Sequence, residues 1–596
     1  MIKTILNQAT AQGKLRQIDR QTGLFAERLT GGKAPEMLLV IALLSRAVGQ
    51  GHICLPLKTI AGQQVFGPEI HFQLPDIDRI RTSLMATGVV GRPGERDPFI
   101  LDESDRCYLA RYHDCERRIA DDLRRRSSGI LDIDHESAAK LIHRLFPDRS
   151  TVDWQQMAAA VSLLKQFTVI SGGPGTGKTY TVARILSLLQ ALAGGTLRIE
   201  LAAPTGKAAA RLHESIQMAK KTIEYDLADM VPDETRTVHR LLRYNFQSGK
   251  FHYNRDNPLH LDLLVLDESS MVDVPLMASL LDALPKDARL ILLGDQNQLT
   301  SVEVGSLFDD ICAGMGSGWS AELCEHLRLI TPVSPDPAVG EGSFADSIVI
   351  LQESYRFSEQ SGISNLAKAV NRGNLKSFEK AGQYDDLVLF EVEKRDLVPW
   401  LSEKIALGFK ECFTSKDPRA ALDVLNRFRV LCALREGITG VKGVNEIAEM
   451  TLRERGMIST AGQWYRGQPL MITENHYGLL LFNGDTGIIW PDGDGRLRAW
   501  FEKPDGTLHP LAPERLPAHE TAYAVTVHKS QGSEFEEVVF LLPVADSRVL
   551  SRELIYTAIT RARRKLTICG DIGLLDRATE QRLIRYSGLT DKLWNG

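Results

Sequence analysis

Apolar and polar positions follow two rhythms along the chain, and the switch between them marks the elements. Four short apolar runs, "FTVIS", "RIELAAP", "LDLLVLDE" and "ARLILLGD", recur between about 165 and 330, each followed by a loop and a helical spacing of apolar residues. That alternation predicts buried strands of a doubly wound parallel sheet. A second series, "FRVLCALR", "EVVFLLP" and "KLTICGD", predicts another α/β sheet. Inside that series, residues about 460 to 520 are turn-rich and extended, as in "GQPLMITEN" and "GDTGIIWPDGDGRLRAWFE", which predicts a small inserted β-barrel.

The first 115 or so residues alternate helical stretches such as "EMLLVIALLSRAV" with extended ones such as "HICLPL", and they carry no nucleotide motif. They predict a mainly helical accessory domain. The charged segment "RYHDCERRIADDLRRRSS" then reads as a solvated helix with Arg124 to Arg126 on its wet face. "TPVSPDPAVGEGSF", Thr331 to Phe344, has the Pro, Gly and Ser content of a linker. The expected domains are therefore 1–115, then 116–345 with a helical lead-in over 116–164, then 346–596 carrying the insertion.

Composition narrows the classes. At 596 residues the chain exceeds what one core can bury. No run approaches the roughly 20 apolar residues of a membrane helix, and no apolar core with a cleavage site opens the sequence, so a cytoplasmic protein is expected. The eight cysteines are scattered singly, which suggests neither a zinc site nor a disulfide framework. A net charge of −5 confines any nucleic-acid binding to local grooves.

The candidate chemistry starts at "SGGPGTGKTY", between an apolar strand and an amphipathic helix. Gly172, Gly173, Pro174, Gly175, Thr176, Gly177, Lys178 and Thr179 have the spacing of a P-loop, whose glycines let backbone N–H groups curl around a phosphate. Lys178 would reach the β and γ phosphates, and the Thr179 hydroxyl would hold Mg²⁺. "LLVLDESS" then offers Asp267 as a second metal anchor and Glu268 as the base that positions water. One strand later, Gln298 of "LLGDQNQL" is placed to sense the γ-phosphate.

Eight motifs in order carry a closer likeness: "GGPGTGKT", "LAAPTGKAAARL", "TVHRLL", "LDESSMVD", "LLGDQNQLTSVEVG", "ESYRF", "VTVHKSQGSEF" and "IYTAITRAR". The chain resembles superfamily 1 helicases. Within them it is most similar to the RecD-like family, the alpha-subunit type of the bacterial exodeoxyribonuclease V complex, because "LCALREGITGV", "FNGDTG" and "ALLSRAVGQGHICLPL" between the motifs also match.

That resemblance implies two RecA-like domains with ATP and Mg²⁺ in the cleft between them, 5′ to 3′ travel on single-stranded DNA, unwinding of duplex DNA, and a heterotrimer with RecB-like and RecC-like subunits. It implies that Arg356 and Arg561, both expected in the second α/β domain, reach the γ-phosphate. Gln155 or Gln156, with Gln155 favoured, would recognise adenine. Tyr180 replaces a threonine usual in the family, and its ring is expected near the nucleotide. Two phosphate clamps are implied for DNA, one from Thr205 and Lys207, the other from Thr526, His528, Lys529, Ser530 and Gln531. His239 reads equally as a DNA contact or as a satisfied buried or surface histidine. The insertion would be SH3-like, and Trp464, Tyr465 and His476 there read more readily as core than as base-stacking rings.

Three rivals remain. A stand-alone RecD-like helicase would have a longer N-terminal region than the roughly 150 residues before the P-loop. A nuclease would need an acidic and lysine constellation that the sequence lacks, and a dead motor would have lost a motif residue.

Overall fold

The computed structural model describes every residue except 1, 32–34, 148–149, 302, 315–317, 338–343, 359, 379–383, 460–461, 504–505 and 596. Its centre is a six-stranded parallel sheet, ordered Ile348–Leu351, Phe167–Gly172, Arg289–Gly294, Leu263–Leu266, Ile199–Ala203, Thr235–Thr237. Phe167–Gly172 and Leu263–Leu266 are buried at every position, as strands covered by helices on both faces must be. Register lines up the strand ends: Leu266 pairs with both Ala202 and Leu292, and Gly294 pairs with Ser171. The loops that follow, carrying Thr205, Asp267, Asp295 and the P-loop, therefore leave one edge of the sheet, where α/β folds place ligands.

A second parallel sheet runs Leu387–Phe390, Ala562–Cys569, Phe535–Leu541, Phe428–Cys432, Ala524–Thr526. Between its neighbouring strands Phe428–Cys432 and Ala524–Thr526 the chain builds a five-stranded antiparallel sheet, from Pro469–Ile472 to His519–Thr521. Its outer strands, Leu508–Leu511 and His519–Thr521, do not pair with each other among the described residues. The N-terminal region combines helices such as Gln17–Thr30 and Pro35–Gly49 with a small mixed sheet.

Three features depart from the expected layout. Strand Ile348–Leu351 lies beyond residue 345 yet pairs with the P-loop strand, so the first motor's sheet reaches past the expected boundary and the crossing to the second sheet falls between 351 and 387. Helix Ala110–Ser127 spans the expected boundary at 115, and it is solvated on one face only, where Arg117, Asp121, Arg124 and Arg125 are exposed. Its Arg126 is fully buried, donating to the carbonyls of Pro285 and Ala288 and pairing with Asp122, because the helix is wedged against helix Val274–Ala283. Finally, after helix Ile572–Glu580 the chain returns to the first motor. Arg585 donates to the Gly305 carbonyl at 2.7 Å, Ile53 donates to the Tyr586 carbonyl at 2.9 Å, and Lys592 pairs with Glu116 at 2.8 Å.

Candidate nucleotide and strand site

The P-loop takes its shape from its glycines. Gly175 and Gly177 both have φ +79°, a region other residues enter only with strain. A Cβ on Gly175 would stand 2.3 Å from Cβ of Arg356, and one on Gly177 would stand 2.4 Å from Nε2 of Gln155. Helix Lys178–Leu192 begins immediately after, so the loop's N–H groups and the helix N-terminus share one concave turn. Thr176 Oγ1 braces it by donating to the Gly173 carbonyl at 2.8 Å, and Ser354 Oγ reaches the Pro174 carbonyl at 3.4 Å. The Lys178 ammonium folds over the loop onto the Gly172 and Gly173 carbonyls. Thr179 stands half-buried in the first turn.

Of the two glutamines, Gln155 is the one against the loop, donating to the Thr176 carbonyl at 3.1 Å. Gln156 is buried and its Nε2 has no hydrogen-bond partner among the described residues. Beside Gln155 a small cleft opens between Trp154, Thr176, Leu351 and Tyr355. Tyr180 lies 4.2 Å beneath the Arg184 guanidinium, whose charge faces Asp153 and Tyr355 at that cleft.

Asp267 and Glu268 follow strand Leu263–Leu266. Glu268 sits at φ +50°, a left-handed conformation that is uncommon outside glycine and held here by the Glu268 N–H bond to Asp267 Oδ1 at 2.8 Å. Burial, and next the Glu268 charge, push the Asp267 carboxyl up to about 6, while Lys178 and Arg211 draw it down. One strand over lies an acid that the sequence reading passed by. Asp295 is buried and accepts from Gln298 Nε2 at 3.0 Å and from the Tyr556 hydroxyl at 3.1 Å. Its place after an apolar strand matches that of Asp267, which was the available signal; Tyr556 sits in an apolar helix and reads as core.

Gln298 also accepts from Arg561 Nη2 at 2.8 Å, across the two motors. Arg561 is buried at the end of helix Arg552–Thr560 and donates as well to the Ser533 and Thr557 carbonyls at 3.0 and 3.2 Å. Arg356 corrects the expectation that both arginines come from the second domain. It leaves the end of the first-sheet strand Ile348–Leu351 and turns over the P-loop, where Tyr355 N–H holds the Gly175 carbonyl at 2.8 Å. Its partner, Glu534, is on the second motor, 2.8 Å away.

The two phosphate clamps separate into half-buried and buried members. Thr205 caps helix Gly206–Lys220, accepting from Ala208 N–H at 3.2 Å, and Lys207 is half-buried beside it. Burial pushes Lys207 down to about 8, a shift that Arg429 deepens and Asp485 opposes. Thr526 accepts from Lys529 N–H at 3.2 Å, shaping the turn His528–Ser530. Ser530 and Gln531 face inward, contrary to a role on the strand. Ser530 donates to Val527 at 2.7 Å, and Gln531 joins the motors by donating to the Leu299 carbonyl at 2.8 Å. Burial lowers the His528 pKa, with Arg585 adding to the effect.

His239 is exposed on helix Val238–Leu241, edge-on to Tyr244 at 5.7 Å and beside Phe251 at 5.8 Å. Tyr465 is core, bonded to Glu449 and Tyr523, and Trp464 tilts on His519. His476 closes a tight turn, its Nδ1 accepting from Leu479 N–H at 3.2 Å. A different aromatic residue of the insertion reaches the clamps. Phe482 lies against Gly206 and under Arg240, 4.6 Å from its ring centre, while the neighbouring Asn483 accepts from Lys529.

Comparison with known proteins agrees with this arrangement. Residues 11–108 match the family model for the N-terminal domain of RecBCD enzyme subunit RecD, 155–304 an AAA domain, and 521–569 a UvrD-like helicase C-terminal domain. The RecBCD enzyme subunit RecD of Mycolicibacterium smegmatis is 37% identical over 93% of this chain and 93% of that protein. The Haemophilus influenzae RecD subunit is 36% identical over 77% of this chain and 75% of that protein. The ATP-dependent RecD2 DNA helicase of Deinococcus radiodurans is 30% identical over 72% of this chain but only 50% of that protein. A solved Pif1 helicase covers 70% of this chain and 92% of its own at 16% identity, with a TM-score of 0.36, too low for comparing sites.

Proposed function

The chain belongs to the RecD family of RecBCD enzyme subunits, helicase motors, and from that premise we propose that it travels 5′ to 3′ on single-stranded DNA and opens duplex ahead of it, driven by ATP. The observation that carries the reading is the Arg561–Gln298–Asp295 chain, which joins an arginine of one motor to a strand-end acid of the other. A cleft whose two walls share such a link can close on a triphosphate and reopen once it is cleaved.

In this reading the P-loop amides and Lys178 take the phosphates, Gln155 the adenine side, and Glu268 positions the attacking water. Arg356 and Arg561 offset charge on the γ-phosphate, and Gln298 reports its loss to the strand side. The loop's two left-handed glycines let it curl so that its N–H groups can face a phosphate, and the hydroxyl of Thr179 with the carboxylate of Asp267 is a hard oxygen pair suited to Mg²⁺. When bound, the ion would neutralise phosphate charge. Thr205, Lys207, His528 and Lys529 hold the sugar–phosphate backbone, which is sequence-independent by nature.

RecB-like and RecC-like subunits are the proposed partners, with residues 1–115 as the docking region and nuclease chemistry supplied by another subunit. No helix among the described residues is long and apolar enough to cross a membrane. The test is unwinding of duplexes with a 5′ or a 3′ single-stranded tail, with Lys178→Gln as control. Opening of the 5′-tailed substrate alone, lost in the control, is expected. Opening of the 3′-tailed substrate alone would overturn the polarity.

A further inference from the structure

Glu534 precedes strand Phe535–Leu541 of the second sheet, and its side chain is only 5% exposed. Its two oxygens hold three arginines that arrive from three places. Oε1 pairs with Arg211 of helix Gly206–Lys220, while Oε2 pairs with Arg356 at 2.8 Å and Arg563 at 2.9 Å. Arg211 and Arg356 come from the first motor and Arg563 from the second, so one carboxylate bridges the cleft. Burial alone would raise its pKa, yet the charges of Arg211 and Arg356 hold it well below the usual carboxylate range. It is ionised, and one negative charge facing three positive ones leaves the cluster cationic.

Two of the contacts lead onward to working parts. Arg211 lies on the helix capped by Thr205, and its charge also faces Glu268 and Asp267. Arg356 sits against Gly175 of the P-loop, and its Nη1 is buried with no hydrogen-bond partner among the described residues. The residue before Glu534, Ser533, accepts from Arg561 at 3.0 Å, and Gly532 packs on Ala208 beside the first clamp. The strand clamp, the carboxylates and both arginines thus converge on this residue.

We propose that Glu534 is a positioning residue that couples strand occupancy to ATP hydrolysis, holding Arg211 and Arg356 on one carboxylate so that a shift of the Thr205 helix moves the arginine over the P-loop. A guanidinium keeps its fork geometry on a carboxylate, so displacement of Arg211 is passed on rather than absorbed. The proposal rests on the ATP-driven motor reading.

The experiment is steady-state ATP hydrolysis by the purified full chain, with and without oligo-dT, for the parent, Glu534→Gln, Glu534→Asp, Arg211→Gln and the double variant Arg211→Gln/Glu534→Gln, with thermal melting alongside. Glu534→Gln should lower strand-stimulated kcat about tenfold, while the oligo-dT concentration for half-maximal stimulation changes less than about threefold. Arg211→Gln should do the same, and the double variant should be no worse than either single one, as expected of residues acting as a unit. Glu534→Asp, which keeps the charge, should restore part of the stimulation.

Stimulation in Glu534→Gln within threefold of the parent overturns the proposal. So does a rise in half-maximal oligo-dT with kcat unchanged, which would make Glu534 a strand contact. Multiplicative losses in the double variant also overturn it. Should Glu534→Gln melt early, Arg211→Gln and Glu534→Asp decide by the same criteria. A parent with no strand stimulation would instead sink the motor reading, a result separable from a stimulated parent matched by its variants.

Discussion

The two motors are built alike and equipped differently. Each is a parallel sheet, yet the first carries the P-loop, Asp267, Glu268 and Asp295 after its strands, while the second supplies Glu534 and Arg561, each just ahead of a strand, and Tyr556 from helix Arg552–Thr560. One sheet can hold a nucleotide. Only the pair can complete the charge arrangement around it. With Arg561 across the cleft from Asp295, the proposed reading makes hydrolysis depend on closure of the two walls.

Exchanging residues between the two walls tests that division. The largest effect is expected from the second: Arg561→Ala should lower strand-stimulated ATP turnover by about 10³- to 10⁵-fold, the range for an arginine facing a transferred phosphoryl group. Binding of a fluorescent nucleotide analogue should change little, and a parallel loss of binding would erase the proposed division of labour. Lys178→Gln, on the first wall, should lower turnover by about 10²- to 10³-fold, as when one preorganised charge is removed. Here nucleotide binding should weaken as well, and that contrast is the point of measuring both.

Smaller effects belong to the strand side. Lys529→Ala should weaken single-stranded DNA binding evenly across sequences and make the slope of log affinity against log salt shallower by about 1. A sequence-dependent loss would argue against backbone contact. The smallest is a pH effect at Lys207. A lysine lowered to about 8 is charged below that value and neutral above it, so its phosphate contact fades as pH rises through 8. DNA affinity at low salt should therefore fall modestly between about pH 7 and pH 9, by about twofold to threefold. Lys207→Arg, which cannot lose its charge in that range, should flatten the profile.

The sequence made the first motor more legible than the second. Apolar runs of strand length located most strands of both parallel sheets, because a strand buried on both faces has no polar positions to blur it. The P-loop, Asp267 and Glu268 were visible because their chemistry is local, within a few residues of one strand end. What escaped was non-local. Nothing near Arg126 in the sequence says that carbonyls some 160 positions away will surround it. Ser530 and Gln531 share a motif with Lys529, but which of them turns inward depends on the 299 loop of the other motor. Arg356 was assigned to the wrong motor because its strand looks like the start of a new domain, and only pairing with Phe167–Gly172 shows otherwise. Phe482 sits in a turn-rich insertion where one aromatic residue resembles another until a neighbour is found.

The returning C-terminal segment gives the two motors a second junction. The polypeptide crosses from the first sheet to the second between 351 and 387, and through Arg585, Tyr586 and Lys592 it comes home again. The lobes thus belong to a closed circuit, not to beads on a single thread. Such a frame resists gaping and twisting but still permits rocking about the line joining its two fastenings. Under the proposed motor reading, a stroke confined to that one degree of freedom would advance a threaded strand without letting go of it.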